Sequence, residues 1–220
     1  MLRPDVDEAL RYLGAGGNAP EELRRQANAV ADELTAAVQP RYTYKVYDLN
    51  HADGLFSLQG TGIALSGESA SRMLAQCDKA VLLACTLGTA FDARLRALQA
   101  RDMARAVIMD ACGSSFVERG CDEAEREIAA RFLDRYRTDR FSPGYGDLPL
   151  SLQKDICAAL DTARRLGVHV TESYMLNPAK SVTAVIGLSD KPQAARVRGC
   201  GYCSMRDTCL LRKGGNHCAL

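Results

Sequence analysis

The chain contains no tryptophan, an absence that excludes nothing about its fold or its ligands. Other shortages decide more. Lys and Arg number 28 against 27 Asp and Glu, a formal net charge of +1. Without a basic surplus there is no global field to gather nucleic acid or anionic lipid, so neither is an expected partner. No apolar run approaches the ~20 residues of a membrane span. The opening stretch, "MLRPDVDEALRYLG", is acidic early and lacks an apolar signal core, so a cytoplasmic location is expected. Internal repeats and low-complexity segments are missing too. What remains is 220 residues, 47% hydrophobic and 25% charged. That is the profile of a globular chain able to bury a core.

Nine cysteines are the compositional surplus. Their odd number and the missing export signal argue against a disulfide framework. Cys77, Cys85, Cys112, Cys121 and Cys157 are scattered through periodic segments, where a free Cys acts as a small buried hydrophobe. The last four crowd into "CGYCSMRDTCLLRKGGNHC" as Cys200, Cys203, Cys209 and Cys218, spaced C-x2-C-x5-C-x8-C. Four thiolates so close together in a reduced chain suit zinc or an iron–sulfur cluster. The spacing matches neither the usual zinc ribbon nor the ferredoxin run, so the metal's identity stays open. His217 is an alternative to Cys218 as a ligand. Arg198, Arg206, Arg212 and Lys213 would stabilise thiolates or a reduced anionic cluster. The plainer alternative is a flexible tail with a redox-active Cys-x-x-Cys. Residues 1–190 are therefore expected to form the folded domain and 191–220 a Cys-rich, metal-binding tail.

Periodicity predicts helices over 19–38, 67–77, 89–99, 103–133 and 151–167. Alternation or continuous apolar runs predict strands over 41–49, 79–88, 168–175 and 181–189, with short strands punctuated by Gly60 and Gly62 over 54–67. Within 103–133, "ACGSS" (111–115) has side chains small enough to let another backbone approach. This irregular alternation of helices and strands favours an α+β fold with a mixed or antiparallel sheet.

The stretch "RFSPGYGDLP" (140–149) is the most unusual loop. Arg140 offers a permanently charged planar fork that fits a carboxylate or phosphate. Pro143 fixes its own φ and restrains Ser142, while Gly144 lets backbone turn or approach a ligand. Tyr145 adds a flat face and a hydroxyl. A stiff loop of this kind suits a zwitterionic or nucleoside-like ligand; it also suits an ordinary structural turn.

Arg140, Gly144 and Tyr145 are followed by Gly167, Val170, Thr171, Glu172 and Ser173, then by Pro178, Ser181 and Val182. In this order they resemble the Arg-x-x-x-Gly-Tyr, Gly-x-x-Leu-Thr-Glu-Ser and Pro-x-x-Ser-Val segments of the reactivation domain of cobalamin-dependent methionine synthase. The resemblance covers about 50 residues and does not extend into the tail. It implies a twisted, mostly antiparallel sheet flanked by helices, and S-adenosylmethionine as ligand. Arg140 would hold the ligand's carboxylate, the backbone of Phe141 would meet its polar edge, and Gly144 and Tyr145 would line the pocket. Glu172 and Ser173 are either further ligand contacts or strand residues with a buried hydrogen bond. Two departures stand out. The family's acidic residue on the long helix aligns with Ser114, with Glu118 one turn on, and its Pro-Ala-Cys-Pro becomes Gly146, Asp147, Leu148 and Pro149.

The implied role is accessory: reductive methylation of a corrinoid-dependent methionine synthase in trans, with cobalamin brought by that partner or its cobalamin-binding module. No turnover by the chain alone is expected. The rival readings are an iron–sulfur electron donor to a corrinoid protein, and a non-enzymatic docking module with a vestigial pocket. "DLNHADG" (48–54) comes near the cobalamin-binding pattern Asp-x-His-x-x-Gly, but Asp48 stands one residue too far from His51. A polar turn after a strand accounts for it.

Overall fold

The computed structural model describes residues 1–15, 18–52, 54–193 and 207–208. Helix α1 (Val6–Tyr12) opens at Asp5, whose carboxylate accepts the Glu8 N–H at 3.0 Å. That satisfies one of the four amides a helix start leaves unpaired. This helix lies outside the expected set, although Asp5 and Glu8 have the spacing of a capping box. In α2 (Glu21–Ala37) two acids occupy the first turn, and Ala27, Val30, Ala31 and Leu34 are buried at helical spacing.

One sheet dominates. Its strands are β1 (Arg41–Ala52), β2 (Leu55–Leu58), β3 (Ala64–Leu65), β4 (Lys79–Thr86), β5 (Tyr136–Arg137) and β8 (Ser181–Ser189). Their spatial order is β3-β2-β1-β4-β8-β5, and every neighbouring pair is antiparallel. The remaining helices are α3 (Glu68–Leu74), α4 (Thr89–Gln99), α5 (Met103–Arg131), α6 (Leu152–Leu160) and α7 (Thr162–Leu166). A small hairpin, β6 (His169–Val170) and β7 (Leu176–Asn177), stands apart from the main sheet. The α+β architecture, an antiparallel sheet flanked by helices, is as expected.

Side-chain alternation along the central strands divides the core into two layers. Val81, Leu83 and Cys85 of β4 pack with α1, α2, α4 and α5. Ala80, Leu82 and Ala84 face the opposite way, toward α3, α6, Phe141 and Leu148. A strand covered on both faces reads as a continuous apolar run, which is why β4 shows no alternation in the sequence.

The small-sided stretch of α5 does admit a close neighbour, but it is a ring rather than a backbone. A Cβ at Gly113 would fall 2.2 Å from Cζ of Phe91 on α4. One at Gly120 would meet Pro40 at 2.5 Å and the Cys85 sulfur at 2.7 Å. These two glycines therefore set how closely α5 approaches α4 and the sheet. The five core cysteines carry no disulfide, and all but the half-buried Cys77 are buried. Burial pushes the thiols of Cys77 and Cys112 up to about 12, as unreactive packing residues require.

Three expectations need correction. The single helix over 151–167 is broken at Asp161, whose φ of 53° and ψ of 47° are left-handed and divide α6 from α7. Asp tolerates that conformation better than most residues. The expected strand over 168–175 ends after Val170, because Thr171 N–H donates to the Met175 carbonyl and Tyr174 takes φ 62°. Glu172 and Ser173 thus lie in an exposed hairpin turn, not on a strand with a buried hydrogen bond. Finally, β1 runs on to Ala52, so His51 lies within the strand. It pairs with Phe56 across the hairpin and stacks on its ring at 4.4 Å.

Candidate functional site

The turn at 140–149 is held at three separate places. Phe141 comes first: its N–H donates to Val185 O at 3.0 Å, and Val185 N–H donates back to Phe141 O at 2.8 Å. This bridge stitches the turn to β8 and sends the Phe141 ring into the α6-side core, where it is buried. Its backbone groups are already engaged in the sheet, and what remains for a ligand is the second lone pair of the carbonyl.

Arg140 is the second attachment. Neighbouring residues of an extended segment point to opposite faces, so Arg140 is directed toward α5. There it donates to Asp122 at 2.8 Å and to the carboxylates of Glu118 and Glu125. Those three acids are spaced to share one stripe of the helix. The Arg140 side chain is only 8% exposed. Burial alone would weaken its hold on the proton, but the carboxylates of Glu118 and Glu125 outweigh it and leave Arg140 more firmly charged than usual. Arg119 also pairs with Asp122, at 3.9 Å, so three carboxylates and two guanidiniums leave an excess of one acid, and Arg137 donates to the Glu125 carbonyl beside them. Three of the five N–H donors of Arg140 go to protein acids, so a ligand carboxylate reaching it competes with them.

Asp147 is the third. Its carboxylate accepts the backbone N–H of Glu68 at 2.5 Å and of Ser69 at 3.0 Å, capping α3 from a distant part of the chain. The position before that helix is Gly67, at φ 101°, which carries no side chain to cap with; a Cβ there would meet Asp147 at 2.5 Å. Bonds from the Ser69 side chain and from the Ser69 and Glu68 amides hold the Asp147 carboxyl down at about 2. Between these anchors the turn closes on itself. Gly144, at φ 87°, donates to Leu148 O at 2.8 Å, and Tyr145 N–H donates to Ser142 O at 3.0 Å. Tyr145 is left 38% exposed.

Ser114, four residues before Glu118 on the same helix, donates to Asp110 O at 3.2 Å and accepts from Lys180 Nζ at 2.8 Å. The acid that reaches Arg140 from this side is Glu118, one turn further on. The i, i+4 spacing of 114 and 118 was the available signal; the cage formed with Asp122 and Glu125 was not foreseen. The structure puts Glu172 and Ser173 in the separate β6–β7 hairpin, where Thr171 and Ser173 share a hydroxyl–hydroxyl bond of 3.0 Å. Cys200, Cys203, Cys209 and Cys218, with His217, lie outside the described residues. Among the described residues no group of three or more His, Cys, Asp or Glu is placed to hold a metal ion. Nor is any helix among them long and apolar enough to cross a membrane.

Residues 77–207 match the family model described as "Vitamin B12 dependent methionine synthase, activation domain". The chain belongs to that family. The match takes in the whole 140–149 turn, the acidic stripe of α5 and the β6–β7 hairpin. It also runs past residue 190 to include Cys200 and Cys203 of the tail. Among solved structures, the fold is similar to a MetH reactivation domain bound to AdoHcy. The TM-score is 0.64 at 18% identity, over 94% of this chain and 77% of the other. No curated protein sequence gives a significant match.

Two outcomes follow from how this activation domain holds its turn. Arg140→Ala leaves three clustered carboxylates with Arg119, at Asp122, as their remaining ion pair and costs about 1–3 kcal/mol of stability, measurable by denaturant unfolding. The carboxylates are 22–38% exposed, so water limits the loss. The Asp147 carboxyl is lowered in the folded state, so its contribution is complete above its ordinary value of 3.8 and is lost as pH falls toward about 2. Acid titrations followed by circular dichroism should show this loss in the native chain, and Asp147→Asn should remove it.

Proposed function

We propose that this activation domain binds S-adenosylmethionine at the 140–145 turn and supports reductive methylation of a corrinoid-dependent methionine synthase in trans. Family membership over residues 77–207 is the observation that carries the reading. Its support within the molecule is that Arg140, Phe141, Gly144 and Tyr145 share one turn anchored to β8, α5 and α3. When bound, the ligand supplies an activated methyl group. The chain supplies alignment and no general base, since displacement at a sulfonium methyl depends on position above all.

Within this reading the acids around Arg140 have a use. The one acid in excess suits the net positive charge of the ligand, and its carboxylate competes with the protein acids for Arg140. Glu118 stands in for the acidic residue that Ser114 replaces. Tyr145 lines the pocket with Gly144, and Glu172 and Ser173 are assigned to its rim. Cobalamin belongs to the partner, a methionine synthase or its cobalamin-binding module. The tail is assigned a metal on Cys200, Cys203, Cys209 and Cys218, either zinc or an iron–sulfur cluster that passes an electron to the corrinoid.

A docking module with a vestigial pocket is favoured by one observation, the Ser114 hydroxyl tied to Asp110 and Lys180. Calorimetric titration separates the two. Saturable S-adenosylmethionine binding, weakened by Tyr145→Ala and reduced about 1.5–3 kcal/mol by Arg140→Ala, supports the ligand site. No heat of binding, together with tight association with a corrinoid partner, supports the docking module. For the tail, anaerobic purification should yield stoichiometric iron or zinc that is lost in a Cys200→Ser, Cys203→Ser double variant. Metal-free native protein would remove that assignment.

A further inference from the structure

On the α6 side of the sheet, away from the 140–145 turn, a cavity of about 600 Å³ opens between β1, the turn after β2 and α6. That is the size of a small-molecule site, ~300–1,000 Å³. It exists because its walls are nearly bare: Gly60 and Gly62 form one side, and alanines of α6 form the other. A Cβ added at Gly62 would meet nothing within 4 Å, and its backbone is not in the left-handed region. Buried Ile63 and the half-buried Tyr47 ring supply the apolar surface.

Besides the Thr61 and Tyr47 hydroxyls, which donate to Leu58 O and Ala159 O, the lining carries two opposite charges. Lys45 Nζ donates to Ala159 O at 2.5 Å, near the end of α6. An ammonium has three donors, and among the described residues this is the one Lys45 contact. Asp155, one turn back on α6, is exposed at the same cavity. A bare anion here would face Asp155 and the negative end of α6, while a bare cation would face Lys45. A zwitterion answers both. Register separates this place from the family turn. Lys45 pairs with Leu82, Leu82 with Val185, and Val185 bridges Phe141, so three interstrand steps of ~4.8 Å put Lys45 about 14 Å from Phe141.

We propose that this cavity binds a zwitterionic α-amino acid with an apolar side chain. Its carboxylate sits on Lys45, its ammonium on Asp155, and its side chain against Tyr47 and Ile63. The site goes beyond the S-adenosylmethionine reading and does not depend on it.

The test is calorimetric titration of the full chain with L-methionine, whose flexible thioether adapts to an irregular apolar wall. Wild type should bind saturably, and Gly62→Val, which adds bulk at a lining position without backbone strain, should abolish binding while keeping the thermal midpoint. Asp155→Asn should weaken binding about tenfold, the loss expected of one charge-assisted contact. N-acetyl-L-methionine, which lacks the ammonium, should not bind. Absence of saturable binding by wild type, or equal binding by Gly62→Val, overturns the proposal. So does one-for-one displacement of L-methionine by S-adenosylmethionine, which would put both ligands in one pocket. Loss of S-adenosylmethionine binding in Tyr145→Ala with L-methionine binding intact reads the other site separately, so either claim can fail alone.

Discussion

The arrangement around the candidate site depends on one buried cation. Arg140 leaves the edge of the sheet and ends on three acids of α5, where little water reaches it. A charge in that position is costly unless it is paired, and here it is paired several times over. The ion cluster fixes the side of the turn nearest α5, while its sheet neighbour Phe141 is fixed on the opposite face by burial and two backbone bonds. With Asp147 capping α3, a ten-residue loop becomes a strut joining three elements. A ligand surface built on it inherits the rigidity of the core.

That rigidity is what the role proposed above would need, since displacement at a sulfonium methyl depends on alignment above all. The acids around Arg140 outnumber the guanidiniums paired to them by one, which is compatible with the net positive ligand proposed above. On that proposal, ligand binding and the internal ion cluster compete for Arg140.

Much of this was legible in the sequence, and the failures share a cause. The helices α2, α4 and α5 and the strands β4 and β8 follow from apolar periodicity, because each buries a face or is covered on both sides. The stiffness of 140–145 could be read from Pro143 and Gly144. The misreadings came where local pattern gives way to a single backbone event: Asp161 turning left-handed in an apparently continuous helix, and Thr171 closing a hairpin inside an apparently continuous strand. The role of Asp147 was out of reach, since its partners lie nearly 80 residues away at the start of α3. So was the cage around Arg140. Glu118 stands one turn from Ser114 in the sequence, but nothing in a linear reading joins it to Asp122, Glu125 and a guanidinium from another element.

The central claim is that S-adenosylmethionine occupies the 140–145 turn. Backbone amide chemical-shift mapping with this ligand tests it most directly. The account predicts shifts that concentrate at Phe141, Gly144, Tyr145 and the Glu118–Glu125 stripe and saturate together. Shifts confined to other parts of the molecule, or none at saturating ligand, would contradict it.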